Sequence, residues 1–217
     1  MRIIGLNGSP RAQWNTAQMV ESALDGARDA GAQTKKYDLY KLTFKGCSSC
    51  FECKRLDYPS FGKCAMEDAL TPVLNDVLSA DGIVLGSPIY FGDLTACVRA
   101  FLERLWFAGL AYNSDYTAVY ERRIPVRLIF TMNAPIENFH RQLNESVAST
   151  MRNFIGETEI LEATDTLQFD DYARYETSVF NVAAKLRRHM NVFPEDLKKA
   201  YKVGRDLVSV ARKENPV

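Results

Sequence analysis

Four of the five cysteines crowd one stretch, Cys47-x2-Cys50-x2-Cys53-x10-Cys64. A deprotonated thiol is a soft, anionic ligand, and this spacing allows three chemistries. The first three cysteines match the start of a bacterial [4Fe–4S] ligand run, which can wrap one cluster if the loop is irregular. On a regular helix the same spacing spreads the sulfurs over about 120° of surface. A structural zinc also takes four thiolates. Unmetallated thiols, open to redox chemistry, are the third reading. Cys97 falls on an apolar helical face and reads as a small core residue.

Three other loops carry polar and aromatic residues suited to a ligand. In Gly8-Ser9-Pro10-Arg11-Ala12-Gln13-Trp14-Asn15-Thr16 the chain leaves a strand and enters a helix. A helix head offers free N–H groups and partial positive charge, both suited to a phosphate. Ser9 and Thr16 add hydroxyls, Asn15 an amide and Arg11 a cation. The same residues also suit a βα turn with an ordinary cap. The loop matches neither the dinucleotide fingerprint nor a Walker loop. In Gly86-Ser87-Pro88-Ile89-Tyr90-Phe91-Gly92, Pro88 sets the chain direction and Gly92 permits close backbone approach. Tyr90 and Phe91 read either as cover for a flat aromatic ligand or as core aromatics at a strand end. Thr131-Met132-Asn133-Ala134 adds a hydroxyl and an amide to the same rim. His140 and His189 have no partner at metal-ligand spacing and read as surface residues. With no G-x-S-x-G or H-E-x-x-H, hydrolase readings are weak.

These loops need elements to position them. Strand patterns cover Arg2–Asn7, Thr34–Leu39, Ile83–Leu85, Val126–Thr131 and Thr158–Leu167. Helical spacing marks Thr16–Asp29, a stretch from Met66 to Leu78, Leu94–Leu105 and Glu137–Phe154, with two C-terminal helices over 172–213. The last begins at Pro194, with Glu195 and Asp196 in its first turn and Arg212 and Lys213 at its end, as the helix dipole favours. Alternating strands and helices predict a parallel sheet with crossover helices. Ligands then sit beyond the carboxyl ends of the strands, where all three loops lie.

The 217 residues fit a single domain over 1–217, with a Cys-rich loop at 41–65. At this size folding buries roughly 70% of the unfolded surface, so no disulfide is needed for a core. Hydrophobic residues at 47% and charged residues at 25% exclude a disordered chain. The 27 basic and 27 acidic residues balance, so nothing points to nucleic acid or an anionic membrane. The chain enters its first strand without a signal segment, and no apolar stretch is long enough to span a bilayer. A cytoplasmic, reducing location is expected, where cysteines stay free, metal-bound or redox-active.

The combination resembles the flavodoxin-like NAD(P)H-dependent FMN reductases and, within them, the iron-sulfur flavoproteins. It is carried by Gly8-Ser9-Pro10-Arg11 with Asn15-Thr16, the Cys47, Cys50, Cys53 and Gly62-Lys63-Cys64 run, and Glu67-Asp68. Ala80 to Phe91 and Arg99-Ala100-Phe101-Leu102-Glu103-Arg104 continue it. The resemblance is good over residues 1–135. It implies a three-layer α/β/α sandwich with a five-stranded parallel sheet. It implies FMN held at its phosphate by Ser9, Arg11, Asn15 and Thr16. Pro88, Ile89, Tyr90, Phe91 and Gly92 would border the isoalloxazine, and Thr131 and Asn133 would close the other side. Cys47, Cys50, Cys53 and Cys64 would hold a [4Fe–4S] cluster if one is present. Trp14 departs from the family, which usually has a small residue there, and the gap to Cys64 is longer than usual. The implied activity is FMN-dependent oxidoreduction, from NADH or NADPH to a small-molecule or protein acceptor, in a homodimer or homotetramer. An electron carrier pairing cluster with FMN, and a flavin-binding protein without turnover, are the alternatives. Tyr112, Tyr116, Tyr120, Tyr172 and Tyr175, outside the main βα pattern, read as a subunit contact, a flavin lid or plain surface packing.

Overall fold

The computed structural model describes residues 1–57, 61–135 and 139–214. Asp57-Tyr58-Pro59-Ser60 reads as a turn from its residues, and its last three positions fall outside them, as does Glu137, the expected start of the fourth helix. Five strands form a parallel sheet: β1 (Arg2–Asn7), β2 (Gln33–Asp38), β3 (Gly82–Tyr90), β5 (Val126–Thr131) and β6 (Thr158–Ala163). Their order is β2-β1-β3-β5-β6, and the two-residue β4 (Asp93–Leu94) pairs antiparallel with the end of β3. Successive crossovers run outward in both directions from β1 and β3. This is the flavodoxin-like doubly wound order, and its switch point lies between those two strands.

Alternation along each strand sorts the core into two layers. Ile3, Val84 and Ile129 face α1 (Asn15–Asp29) and α6 (Phe193–Glu214). Ile4, Leu6, Leu85, Leu128 and Phe130 face α2 (Thr71–Leu78), α3 (Ala96–Gly109) and α4 (Arg141–Phe154). Helices α1 and α6 cross with their backbones nearly touching. A Cβ on Gly204 would sit 1.7 Å from the Ala23 carbonyl oxygen, and one on Gly26 1.9 Å from that of Tyr201. Only glycine permits that approach. α5 (Val182–Asn191) leads into α6, and Arg188 donates to buried Asp196 at 2.5 Å.

The C-terminal helices begin at Val182 rather than 172, and of the other boundaries that differ from the sequence pattern three bear on the sites. Helix α2 starts at Thr71 rather than Met66, because Pro72 suits a first turn and Met66 O is taken by Thr71 Oγ1 (2.8 Å) and Arg104 (3.1 Å). Strand β3 runs on through Gly86-Ser87-Pro88 to Tyr90, held in register against β5. Strand β6 stops at Ala163. Asp165 then takes a left-handed φ of 51°, and the chain folds back across the sheet's carboxyl edge.

Candidate functional site

The first loop is built to leave donors free. Gly8 N donates to Gly86 O at 2.8 Å, tying the loop to β3, and Thr95 Oγ1 donates to Gly8 O at 2.9 Å. Ser9 N donates to Asn7 Oδ1, and Arg11 N to Ser9 Oγ, both at 3.1 Å. Ser9 keeps its hydroxyl proton to donate. Helix α1 follows with no side-chain cap and no acid in its first turn. The first main-chain bond there is Gln18 N to Trp14 O, so the amides of Asn15, Thr16 and Ala17 stand without helical partners. All three residues are buried, as is Ser9 at 4% exposure. Buried, unpaired N–H groups demand an acceptor.

Through Asn15 and Thr16 the head of α1 opens into a cleft of about 430 Å³, within the usual range for small-ligand sites. It gathers Ser9, Arg11, Asn15, Thr16, Pro88, Ile89, Tyr90, Phe91, Thr131 and Asn133, the residues of all three loops. Gly92 lies just outside the lining. It has its own role, because Phe91 and Gly92 have φ of 51° and 79° and form the two-residue turn between β3 and β4. Positive φ at both positions is the hairpin geometry that matches strand twist. At Phe91 it costs about 1–2 kcal/mol, and the ring gains no packing for it, being fully exposed.

Several polar side chains at the cleft already have protein partners. Asn15 Nδ2 (2.9 Å) and Trp14 Nε1 (3.0 Å) both donate to Leu167 O. Arg11 donates to Gln168 O at 2.7 Å, with its guanidinium 4.8 Å from the Trp14 ring centroid. Thr16 and Thr131 share a hydroxyl–hydroxyl bond of 2.7 Å. Trp14 therefore has a purpose: it latches the α1 head to the returning 165–180 segment. Burial pulls the Arg11 guanidinium below its ordinary value, with Tyr90 and Tyr172 opposing. Burial likewise raises the Tyr90 phenol, with Arg11 opposing.

That returning segment is the part of the site that sequence reasoning missed. Thr166, Gln168, Phe169 and Phe180 complete the cleft wall, with Met132 beside them. Phe169 stacks on Tyr175 at 4.2 Å and meets Tyr172 edge-on, while Gln168 N donates to Tyr172 Oη at 2.8 Å. The tyrosines thus divide: Tyr172 and Tyr175 back the cleft wall, whereas Tyr112 and Tyr116 lie exposed in an edge-to-face run with Phe107 and Phe51. Tyr120 packs against Gly109. The one local signal for the returning segment was its aromatic density.

The four cysteines of the 41–65 loop line a second, nearly closed cavity of about 10 Å³, with Phe51, Ala65, Met66, Arg104, Phe107 and Ala108. All are free thiols. Left-handed backbone at Ser49 and Phe51, with φ of 53° and 61°, keeps the loop irregular. Arg104, 1% exposed, donates to Cys64 Sγ (3.2 Å), to Asp68 (2.5 Å) and to Met66 O. Lys54 caps the end of α3 through the carbonyls of Phe107, Ala108 and Leu110. Ser49 N donates to Cys47 Sγ at 3.4 Å, and Cys47 N to Glu103 at 3.1 Å. Burial raises the Cys53 thiol, with Lys54 opposing. Among the described residues no three His, Cys, Asp or Glu side chains are grouped to hold a metal ion. The sulfurs share a cavity without converging on one point. Cys97 stands apart, its thiol pushed up to about 11 by burial.

Comparison with known proteins bears on both cavities. The family described as NADPH-dependent FMN reductase matches residues 1–120. An iron-sulfur flavoprotein of Methanocaldococcus jannaschii is 36% identical over 104 residues, covering 48% of this chain and 51% of that protein. One of Methanosarcina thermophila is 28% identical over 104 residues, covering 48% and 52%. The chain spans about half the length of the curated relatives it matches. Among solved structures, an NAD(P)H:quinone oxidoreductase from Methanothermobacter marburgensis superposes with a TM-score of 0.69 at 15% identity, covering 95% of this chain and 98% of that one. An FMN-dependent NADH-azoreductase from Bacillus anthracis, in complex with FMN, superposes at 0.63 with 12% identity, covering 99% and 100%. At these identities the likeness is one of fold.

Proposed function

The chain belongs to the NADPH-dependent FMN reductase family, and from that premise we propose that it is an FMN-dependent oxidoreductase. It takes reducing equivalents from NADH or NADPH and passes them to a small-molecule or protein acceptor. The observation that carries this reading is the buried, uncapped head of α1 opening into an aromatic-walled cleft. Three amide N–H groups, the Ser9 hydroxyl and the helix dipole suit a dianionic phosphate. The exposed ring of Phe91, with Tyr90, suits the flat face of a flavin. Bound there, FMN supplies the hydride and single-electron chemistry. The protein grips the phosphate, orients the ring through the β3 and β5 loops, and excludes water with Phe169 and Phe180. Arg11 can turn from Gln168 O toward the phosphate. The test is a calorimetric titration with FMN and with riboflavin. Tight binding of FMN and at least tenfold weaker binding of riboflavin supports the phosphate grip, and no binding of either overturns the reading.

A second reading rests on the cysteine cavity: the chain is an iron-sulfur flavoprotein that moves electrons between a [4Fe–4S] cluster and FMN. Cys47, Cys50, Cys53 and Cys64 would hold the cluster. The donor set fits, being four thiols in an apolar pocket with two cations, Arg104 and Lys54, beside it. Iron and acid-labile sulfide on anaerobically purified protein decide between the readings. No helix is long and apolar enough to cross a membrane among the described residues, and five free cysteines support a reducing, cytoplasmic setting. The exposed run of Phe51, Tyr112 and Tyr116 is the face we assign to self-association.

A further inference from the structure

Asn133 and Lys185 meet at the rim of the cleft. Lys185, on α5, is 5% exposed. Its ammonium donates to Asn133 Oδ1, pairs with Asp165 and lies 5.5 Å from the Phe180 ring centroid. An ammonium has three donors and no acceptor. The Asn133 amide must therefore turn its oxygen toward Lys185, which leaves its NH2 group to point elsewhere. Asn133 lines the cleft, and no protein acceptor meets that NH2 among the described residues. Asp165 is itself held, its N donating to Ala134 O at 2.7 Å. The Lys185 charge is thus largely balanced, and what the cleft receives is a fixed amide dipole.

We propose that Lys185 is a positioning residue: by holding Asn133 Oδ1 it presents the Asn133 NH2 to the pyrimidine end of the flavin and so favours the reduced ring. This rests on the FMN reading of the cleft. The dimethylbenzene end of an isoalloxazine has no acceptor, and placing it at Asn133 would leave the amide unpaired at a cost. The pyrimidine end carries carbonyl oxygens and N1. Uptake of two electrons and one proton leaves the ring one negative charge richer, and that charge gathers at N1 and the adjacent carbonyl. A donor aimed there binds the reduced form more tightly than the oxidised form, which raises the two-electron potential.

The experiment is an anaerobic calorimetric titration of the full chain with oxidised FMN and with dithionite-reduced FMN. Asn133→Asp keeps an oxygen for Lys185 but turns a second one toward the cleft. It is expected to weaken reduced FMN about tenfold more than oxidised FMN, equivalent to a potential about 30 mV lower. Lys185→Met lets the amide turn over, with about a threefold differential of the same sign, and Lys185→Arg restores the wild-type ratio. Equal losses in both redox states, or none, overturn the assignment and leave the FMN reading intact. Wild-type protein that binds neither form overturns both. Asn133 is exposed, so the Asp variant still tests the amide–flavin contact if Lys185→Met does not fold, and Lys185→Gln, too short to reach Asn133 Oδ1 as the lysine does, then tests the positioning with the same expected threefold differential.

Discussion

The ligand cleft and the cysteine cavity are built on opposite plans. The cleft is made by the ends of regular elements: the head of α1, the exits of β1, β3 and β5, and a returning segment pinned to them. It stands open at about 430 Å³, with donors left unpaired. The cysteine cavity is made by an irregular loop laid on the side of α3. It is closed to about 10 Å³, and its shape depends on one buried arginine. A ligand can enter the first with no more than a turn of the Arg11 side chain, whereas the second must open to be loaded. The cleft's stability is therefore that of the sheet, and the cavity's is that of Arg104. Arg104→Met tests this most harshly. It takes the Arg104 donor from Asp68, Lys45 O and Met66 O, of which Met66 O keeps Thr71 Oγ1, and removing one partner of a buried pair costs about 3 kcal/mol. Denaturant unfolding should show that loss and, on the cluster reading, iron content should collapse, while FMN affinity of the folded fraction stays within about twofold. A parallel loss of FMN binding would mean the two cavities are one unit.

The next variant acts on the cleft alone. Ser9→Asp sets a carboxylate where the flavin phosphate would lie, on a buried loop of low dielectric. FMN should bind about a hundredfold more weakly, near 2.7 kcal/mol, while riboflavin affinity and iron content hold steady. If riboflavin weakens equally, the helix head is not the phosphate site.

How far each cavity could be read beforehand follows from the same contrast. Ser9, Arg11, Asn15 and Thr16 are legible because a helix head is a local event, announced by the strand before it and the apolar spacing after it. The strand order follows from alternation of elements. Thr166, Gln168, Phe169, Phe180 and Lys185 are not legible, because their place depends on a chain reversal at Asp165 that brings them more than 150 residues back to Arg11 and Trp14. The period-two pattern of β6 continues through that reversal, so the strand is overcalled to Leu167. Met66–Leu70 fails for a similar reason: its helical spacing is real, but Arg104 on a distant helix claims Met66 O.

Phe91 sharpens the comparison by separating stability from function within the cleft. Its left-handed backbone is strained, and its ring packs on nothing. Phe91→Gly relieves that strain but loosens the unfolded chain, for a net gain of about 0.5 kcal/mol. Loss of the aromatic face should weaken FMN about fivefold, roughly 1 kcal/mol. Thermal unfolding without ligand and FMN titration should move in opposite directions. A variant that loses stability as well would place Phe91 in the fold rather than the site.

The smallest effect comes from a region that belongs to neither cavity. Asp76, at the end of the sheet away from both loops, accepts from Lys35 (2.8 Å) and Arg2 (3.2 Å) and from Tyr37. The Lys35 and Tyr37 hydrogen bonds hold its carboxyl below the ordinary range, against a smaller opposing effect of burial. A depressed folded-state pKa stabilises the protein above the unfolded value of about 3.9, and that contribution is lost as pH falls through the lowered one. The partners are part-exposed, so the contribution is under about 1 kcal/mol. Asp76→Asn should therefore reduce unfolding free energy slightly at pH 7 and flatten its decline below pH 4. FMN affinity and iron content should both stay at wild-type values. Because this variant costs stability without touching either cavity, it sets the baseline for the others: a change in ligand binding here would show that binding follows global stability, and the contrast between cleft and cavity would lose its meaning.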